Sequence, residues 1–432
     1  MPEGRTLALR VPLLARVEGE GALELDIDNG ELLRVKLRIF EPPRFFEKIA
    51  LGRSIDEVPD LVARICGICP VAYQMSAVYA LERALAVTVT PQVRDLRRLL
   101  YCGEYIESHA LHIYMLQAPD LLGHESALSL AAVAPEVVKK ALRLKKIGND
   151  LLRTIGGRSV HPVSACVGGF YRWPDAAAMT ALLPDLEWGL QAAIETARWS
   201  ATLAYPELEI DYEFVANHLP DEYAIIEGDI LSSKRGQMPV DDFDKIYLEQ
   251  HVKHSNALHS LTVDGQPYLV GPLSRLNLNH EQLGPAAQAV MKEIKLELPI
   301  RNPYKALIAR AIELVQAYED AIELVSTYRP DGPSAAKLSL RAGEGCAATE
   351  APRGLLFHRY TIDAGGLIQT ARIVPPTAQN LARIEADLWQ MAPKVIDLPH
   401  DQATLTCEHL VRAYDPCISC ATHFLKLDIK EL

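Results

Sequence analysis

Two Cys-x-x-Cys pairs near opposite ends of the chain place the strongest constraint on how it folds. Cys66 and Cys69 lie in the string Arg-Ile-Cys-Gly-Ile-Cys-Pro, and Cys417 and Cys420 lie in Asp-Pro-Cys-Ile-Ser-Cys-Ala-Thr-His. In a reducing compartment such pairs indicate a metal or redox site rather than disulfides. If one site takes all four sulfurs, the fold must bring together segments separated by 348 positions (69 to 417).

The spacing leaves the identity of the metal open. Four soft thiolates select zinc, an iron–sulfur cluster or nickel, and a structural zinc site with four cysteine ligands is the simplest alternative. Zinc ribbons, however, close over about 15–20 residues, so two distant loops suit a buried catalytic centre better than a local clip. The other cysteines stand singly and are expected to be small buried apolar side chains; they are Cys102, Cys166, Cys346 and Cys407.

Charge and hydropathy argue against two classes of function. The 432 residues include 44 basic and 56 acidic side chains, for a net charge of −12, whereas a nucleic-acid binder presents a basic face. No segment offers about 18 uncharged apolar residues, so no membrane span is predicted. The first ten residues also lack the apolar stretch of a secretory signal, which favours a cytoplasmic protein.

Periodicity predicts one hairpin and three long helices. Apolar side chains alternate over 22–27 and 33–39 on either side of an Asp-Asn-Gly turn, which is a hairpin signal. Helices are predicted over 71–87, opened by the preceding proline, and over 91–117 and 304–328, where apolar residues recur at steps of three and four.

The fold class predicted from these patterns is α+β and predominantly α. A long central helix bundle is expected beside a small N-terminal β-sheet, with the metal site buried between the two Cys-x-x-Cys loops. The stretch from about 330 to 380 is rich in glycine and proline and is interpreted as loops. Within residues 1–432, the predicted parts are a β-rich start, a helical body, a loop-rich C-terminal part and a short tail; they span 7–41, 42–330, 331–423 and 424–432.

The two cysteine strings resemble the N- and C-terminal signatures of nickel–iron hydrogenase large subunits, and the resemblance covers essentially the whole chain. It implies that Cys66 and Cys417 bind nickel terminally, while Cys69 and Cys420 bridge nickel to an iron that carries CO and two cyanides. The implied cofactor is therefore a NiFe(CN)2(CO) centre. A related respiratory subunit shares this fold but lacks the cysteines, all of which are present here.

Three further strings carry the same resemblance. Arg-Val-Glu-Gly-Glu-Gly implies that Glu18 relays protons beside Cys417, a role that a nearby carboxylate suits chemically. Arg-Phe-Phe-Glu implies that Glu47 binds a second, hard metal, Mg2+ or iron, together with His423 and a backbone carbonyl near Arg372; oxygen ligands suit Mg2+. Without the family context, Glu18 would be interpreted as a surface glutamate of the hairpin, Glu47 as a solvated acid at a helix start and His423 as a C-terminal cap.

Glu-Ala-Pro-Arg-Gly resembles the loop whose arginine, here Arg353, overhangs the bimetallic centre and donates to cyanide. Asp120 and Asp415 are similar to the aspartates that flank this arginine; alone, all three would be turn or helix-end residues. The sequence also departs from the family pattern. Tyr73 stands where many relatives have histidine. Pro376 stands where relatives often have a hydroxyl residue, and Thr377 is the next residue in the chain.

The function predicted is the reversible oxidation of H2 and reduction of protons. The variants of the motifs are most similar to the cytosolic branch coupled to NAD(P), with a sulfhydrogenase-like alpha subunit. Partners implied are an iron–sulfur small subunit, diaphorase subunits that bind flavin and NAD(P), and a maturation endopeptidase that removes residues 424–432; no Gly-x-Gly-x-x-Gly phosphate loop occurs in this chain. The alternatives are a deazaflavin-coupled hydrogenase and a non-catalytic structural subunit with a four-cysteine zinc site.

Overall fold

The structure is a computed structural model and describes residues 7–28 and 31–422. The chain is helix-rich and also contains several small antiparallel sheets. The α-helices are α1 (Phe46–Ala50), α2 (Val58–Ala63), α3 (Pro70–Leu85), α4 (Pro91–Leu111), α5 (Ala118–Leu121), α6 (Ala127–Val133), α7 (Pro135–Gly156), α8 (Ala176–Thr180), α9 (Leu183–Ala201), α10 (Phe243–Ile246), α11 (Pro272–Asn279), α12 (Pro285–Glu293), α13 (Ala306–Thr327), α14 (Pro376–Val395), α15 (His400–Ala413) and α16 (Ile418–Ala421). A π-helix, His112–Gln117, continues α4, and short 3-10 turns occur at Val240–Asp242, His280–Gln282 and Pro303–Lys305.

Within the described residues, the strands form three three-stranded sheets, at the start, in the middle and near the end of the chain, and two two-stranded sheets. The first sheet has the order β1-β2-β3 and the last has the order β11-β12-β13, with antiparallel neighbours throughout. The strands are β1 (Leu7–Val11), β2 (Gly21–Asp28), β3 (Glu31–Ile39), β4 (Ala165–Cys166), β5 (Gly169–Phe170), β6 (Val215–His218), β7 (Asp229–Ser232), β8 (Gly236–Met238), β9 (Tyr247–Gln250), β10 (His259–Thr262), β11 (Gly343–Ala351), β12 (Gly354–Ile362) and β13 (Ile368–Val374).

The long helices form the central bundle that the periodicity predicts. Helix α4 packs on α7 and α13, and α13 also packs on α9. Gly103 of α4 faces Gly148 of α7, where a Cβ on Gly148 would lie 2.7 Å from the Gly103 carbonyl oxygen. The two backbones therefore approach more closely than larger side chains would allow. The fold class is confirmed, as are the hairpin of β2 and β3 and the three predicted helices, which correspond to α3, α4 with its π-helical extension, and α13.

The interpretation of 330–380 as loops is wrong, because residues 343–374 form the sheet β11-β12-β13. The glycines that suggested turns serve close packing instead. Strand β11 lies on α3, and a Cβ on Gly343 or Gly345 would collide with the carbonyl oxygens of Ala84 and Ala80. The predicted helical body of 42–330 also contains the short strands β4 to β10. The division of the chain at 41 and 330 stays a prediction.

Among the described residues, no helix has both the length and the apolar character needed to cross a membrane.

Candidate metal centre

The four cysteines of the two pairs meet inside the protein. Their sulfurs all lie within 4.8 Å of one another. Across the pairs, Cys66 Sγ is 3.6 Å from Cys417 Sγ, and Cys69 Sγ is 4.0 Å from Cys420 Sγ. None of the four is in a disulfide, and each residue is at most 3 % exposed. The arrangement is a closed set of four soft donors that can surround one metal centre.

The local structure of each loop follows from its sequence. Cys69 is the residue before α3, whose first position is Pro70, where proline fits because no N–H is needed there. Cys417 precedes the short helix α16, and its backbone N–H donates to Thr377 Oγ1 at 2.9 Å. The N–H of Ile418 donates to the carbonyl of Glu18 at 2.9 Å, so the N-terminal segment forms a β-bridge with the second cysteine loop.

Arg44 joins the two loops, a role that the sequence patterns did not indicate. Its guanidinium donates to the carbonyl of Ile65 at 2.7 Å, next to Cys66, and also to the carbonyl of Ser419, between the second pair of cysteines. Its backbone N–H donates to Thr422 at 2.6 Å. The arginine belongs to the Arg-Phe-Phe-Glu string, but no local pattern points to a partner 375 positions away.

Burial and the hydrogen bonds between the thiols shift the pKa values of the cysteines. Burial raises the pKa of Cys69 and Cys417 well above the ordinary value. Burial also opposes ionisation of Cys66, but hydrogen bonds from the neighbouring thiols lower its pKa. Four adjacent thiolates repel one another and lack water, so all four can ionise together only around a cation.

Glu18 lies beside Cys417, as the resemblance implies. Its carboxylate accepts hydrogen bonds from Cys417 Sγ at 3.0 Å, from the Ser419 N–H at 3.0 Å and from Ser419 Oγ at 2.5 Å. The residue is half-buried. It therefore connects a buried sulfur with the outer part of the site.

Arg353 lies in the turn between β11 and β12, and Asp415 holds it. Its Nε donates to the Asp415 carbonyl at 2.9 Å, and its Nη2 donates to Asp415 Oδ1 at 3.1 Å. Although burial disfavours the charged form, the negative charges of Asp415 and of the cysteines raise the pKa of Arg353 well above its ordinary value. Within the described part of the chain, no protein atom accepts from its buried Nη1.

Tyr73 supplies a second buried donor near the sulfurs. Its hydroxyl has no hydrogen-bond partner among the described residues. Burial and the charges of the four cysteines raise its pKa well above the ordinary value, so the hydroxyl keeps its proton. The ring packs at a tilt on His358, with centroids 5.8 Å apart.

Asp120 forms its hydrogen bonds and ion pairs with residues other than Arg353, so its predicted place beside that arginine stays a prediction. It is paired with Arg412, at 2.7 Å from Nε, with Arg16, and with His409 at 3.1 Å. Helix α5 places Asp120 against the N-terminal segment and α15, where these three basic side chains surround it. Hydrogen bonds and charge from His409 and Arg412 lower the pKa of Asp120 to about 2 despite its burial.

The predicted second metal site is only partly described. Glu47 Oε1 accepts from the N–H of Ile373 at 2.7 Å. That N–H and the Arg372 carbonyl belong to one peptide group, and in a trans peptide the two point in opposite directions. The Arg372 carbonyl is thus directed away from Glu47 Oε1. The side chain of Arg372 pairs with Asp244 at 2.8 Å. His423 lies outside the described residues, as does the tail 424–432.

The fold and the site together define a protein in which four buried cysteines from both ends of the chain can hold one metal centre. The family described as nickel-dependent hydrogenase matches residues 44–158 and 231–423. The chain belongs to this family.

Relatives match over nearly the whole length. The alpha chain of sulfhydrogenase 1 from Pyrococcus furiosus is 34% identical, over 98% of this chain and 99% of its own. The alpha chain of sulfhydrogenase 2 from the same organism is 36% identical, over 95% and 98%. A solved NAD+-reducing [NiFe]-hydrogenase in the H2-reduced state superposes with a TM-score of 0.87 at 24% identity, over 97% of this chain and 100% of its own, which shows a common fold.

Proposed function

We propose that the chain is the catalytic large subunit of a nickel–iron hydrogenase, which interconverts H2 with two protons and two electrons. The observation that supports this best is the pairing of a proton acceptor with the thiol cluster. The Glu18 carboxylate lies 3.0 Å from Cys417 Sγ and is half-buried, while the sulfur is buried. A purely structural zinc site does not require a carboxylate that is hydrogen-bonded to one of its sulfurs.

The residues fit a bimetallic group with small ligands. Four sulfur donors suit nickel and iron; Cys66 and Cys417 would hold nickel alone, and Cys69 and Cys420 would be shared between nickel and iron. The unused donors of Tyr73 and Arg353 suit anionic diatomic ligands such as cyanide. A bound NiFe(CN)2(CO) group would supply the heterolytic cleavage of H2.

The chain's own residues move the proton and maintain the charge of the site. Glu18 takes a proton from the Cys417 sulfur and passes it outward, because it is the ionisable group that joins that sulfur to the half-buried Ser419. Arg353, fixed by Asp415 at two points, keeps a positive charge beside the sulfurs and helps to keep water out of the pocket.

A second, hard cation is proposed beside Glu47, as Mg2+ or iron. Glu47 offers a carboxylate, the ligand type that Mg2+ prefers. In an extended strand, the N–H and carbonyl of one residue point to the same side, so the Ile373 carbonyl is better placed than that of Arg372 to share a cation with Glu47. The predicted ligand His423 remains part of this proposal.

We propose that electrons leave through an iron–sulfur small subunit to a partner that binds flavin and NADP(H). Once the four cysteines are assigned, the four that remain are scattered singly, which leaves no cluster motif in this chain. The names of the relatives support a multi-subunit complex, since they include sulfhydrogenase alpha chains and the beta chain of the NAD-reducing hydrogenase HoxS of Cupriavidus necator. Comparing NADP, NAD and deazaflavin as acceptors for the purified complex would test this assignment.

An infrared spectrum of the anaerobically purified complex, with nickel quantified on the same sample, tests the cofactor. Bands from metal-bound CO and cyanide with about one nickel per chain are expected. Zinc without such bands, in protein that has lost residues 424–432, would instead mean a structural site. The same blank result with that tail still present would show that the proposed cleavage by an endopeptidase had not yet occurred.

Replacing Glu18 with Gln tests the proton route. Glutamine keeps an oxygen that accepts from Ser419 but cannot take up a proton at neutral pH, so H2 turnover should fall by about 100-fold or more, the size of a general acid–base contribution. Nickel content and the CO and cyanide bands should stay unchanged. Glu20→Gln, two residues further on and exposed, is the matched control. Full turnover in the Glu18 variant would remove Glu18 from the mechanism.

A further inference from the structure

A second cluster of metal-ligating side chains lies away from the cysteines. His254 is in the segment between β9 and β10, His259 begins β10, and Glu385 lies in the middle of α14. One donor atom from each lies within 4.8 Å of the other two. His254 Nε2 is 2.8 Å from Glu385 Oε1, and His259 Nδ1 is 3.8 Å from Glu385 Oε2.

His259 is the residue that a simple ion pair leaves unexplained. It is 2 % exposed, and its Nε2 has no hydrogen-bond partner within the described part of the chain. Its Nδ1 faces the carboxylate at a distance too long for a hydrogen bond. A cation bound by Nδ1 and by the carboxylate would explain why this buried ring faces Glu385 without a hydrogen bond to it, while Nε2, on the other side of the ring, would carry the proton.

We propose that His254, His259 and Glu385 bind a divalent transition-metal ion of the zinc type. Two imidazoles and one carboxylate are a ligand set that Zn2+ accepts, with a water molecule in the fourth position. His254 and Glu385 are only partly buried, so an ion and its water can reach the site from solvent. The site differs from the cysteine centre because its donors are nitrogen and oxygen rather than sulfur.

The ion would tie three parts of the fold together. Glu385 Oε1 also accepts from the N–H of Leu37 in β3 at 2.8 Å, and the N–H of Asn256 donates to the carbonyl of Ile39 at 2.7 Å. The β9–β10 segment, the N-terminal sheet and α14 therefore already meet here. Helix α14 begins beside Thr377, which holds the Cys417 backbone, so the ion would brace the helix that supports the cysteine centre.

Zinc titration of the purified, metal-loaded complex tests the proposal. The complex is first treated with a chelator that strips weakly held ions, and Zn2+ is then added while binding is followed by calorimetry and by metal analysis after desalting. One additional zinc per chain is expected. Zinc binding should weaken by more than about 100-fold in each of the variants His259→Ala, His254→Ala and Glu385→Gln. Replacing even the outer hydrogen-bond partners of a metal site typically lowers metal affinity by about 10–100-fold.

Two controls keep the outcome decisive. His251→Ala removes an exposed histidine of the same segment and should leave zinc binding unchanged. Glu385→Gln keeps an oxygen for the Leu37 N–H, and His254 is half-buried, so these two variants decide the question if His259→Ala does not fold. Co2+ in place of Zn2+ should give weak visible bands without the intense near-ultraviolet band of thiolate ligation, which separates this site from the cysteines.

No additional zinc in the wild-type complex would overturn the proposal, as would zinc binding that the variants leave unchanged. In either case the cluster is a hydrogen-bonded His254–Glu385 pair beside an unpaired imidazole.

Discussion

Replacing Arg275 with methionine should disrupt both the stability of the protein and the position of Arg353. Arg275 in α11 is fully buried and donates to Glu313 at 2.6 and 2.8 Å and to Glu350 at 3.0 Å. It also donates at 2.9 Å to the carbonyls of Ala351 and Pro352, in the turn that carries Arg353. One guanidinium thus pairs with two buried carboxyl groups and fixes that turn.

The cost to stability follows from Glu313. Although burial opposes ionisation, Arg275 and the hydrogen bond from His109 hold the pKa of Glu313 at about 2, below the ordinary 4.5. At about 1.4 kcal/mol for each pKa unit, this difference corresponds to about 3 kcal/mol of folding free energy at neutral pH. Removing one partner of a buried ion pair costs about 3–5 kcal/mol in other proteins, so the two routes agree.

The cost to function follows from the two carbonyls. Without Arg275 the turn loses two charge-assisted hydrogen bonds, and a misplacement of Arg353 by about 1 Å can lower turnover by about 100-fold. Urea unfolding of the purified complex measures the first effect, and H2 uptake with an artificial acceptor, scaled to nickel content, measures the second.

The double variant Arg275→Met with Glu313→Gln separates the two effects. Removing the stranded carboxylate should recover much of the stability, whereas turnover should stay low because the carbonyls of Ala351 and Pro352 remain without their donor. If the Arg275→Met variant loses less than about 1 kcal/mol of unfolding free energy and keeps full turnover, both roles of Arg275 are contradicted. One hydrogen bond alone contributes about that much to stability.

Three further predictions concern single positions. Burial raises the pKa of Glu350 to about 7, so the folded state favours the neutral form of this side chain. The unfolding free energy should therefore fall by about 3 kcal/mol as pH rises from 4.5 to 7. In urea titrations, Glu350→Gln should flatten that dependence. Gly189→Ala places a methyl group against the ring of Tyr318 and should cost about 1–3 kcal/mol in the same assay. Thr377→Val keeps the shape but leaves the Cys417 N–H unpaired, so nickel should be lost faster to a chelator than from the wild type.

The parts of the fold that sequence predicts are those that local chemistry determines. Helices α3 and α4 both begin with proline at the first position, and Thr90 caps α4 by accepting from the Val93 N–H. The hairpin of β2 and β3 shows the alternation of a sheet with one buried face. In each case residues a few positions apart carry the signal, so a single sequence suffices.

The sheet of β11, β12 and β13 was missed because its glycines have a tertiary cause. A glycine in a sequence indicates a turn as readily as a close contact, and only the position of α3 shows that Gly343 and Gly345 allow a strand to lie against a helix. The bonding of Asp120 was missed for the same kind of reason. Its partners Arg16 and Arg412 come from distant parts of the chain.

Both local spacing and contacts between distant parts of the chain define the cysteine centre. The spacing of the cysteines indicates that four sulfurs share one site, but what brings the loops together is a set of contacts between the ends of the chain. Arg44 donates to both loops, the Glu18 carbonyl accepts from Ile418, and Thr377 accepts from Cys417. These contacts enclose sulfurs that are at most 3 % exposed. We therefore expect a metal ion to enter while one of these contacts is open, which would couple binding of the metal to completion of the fold.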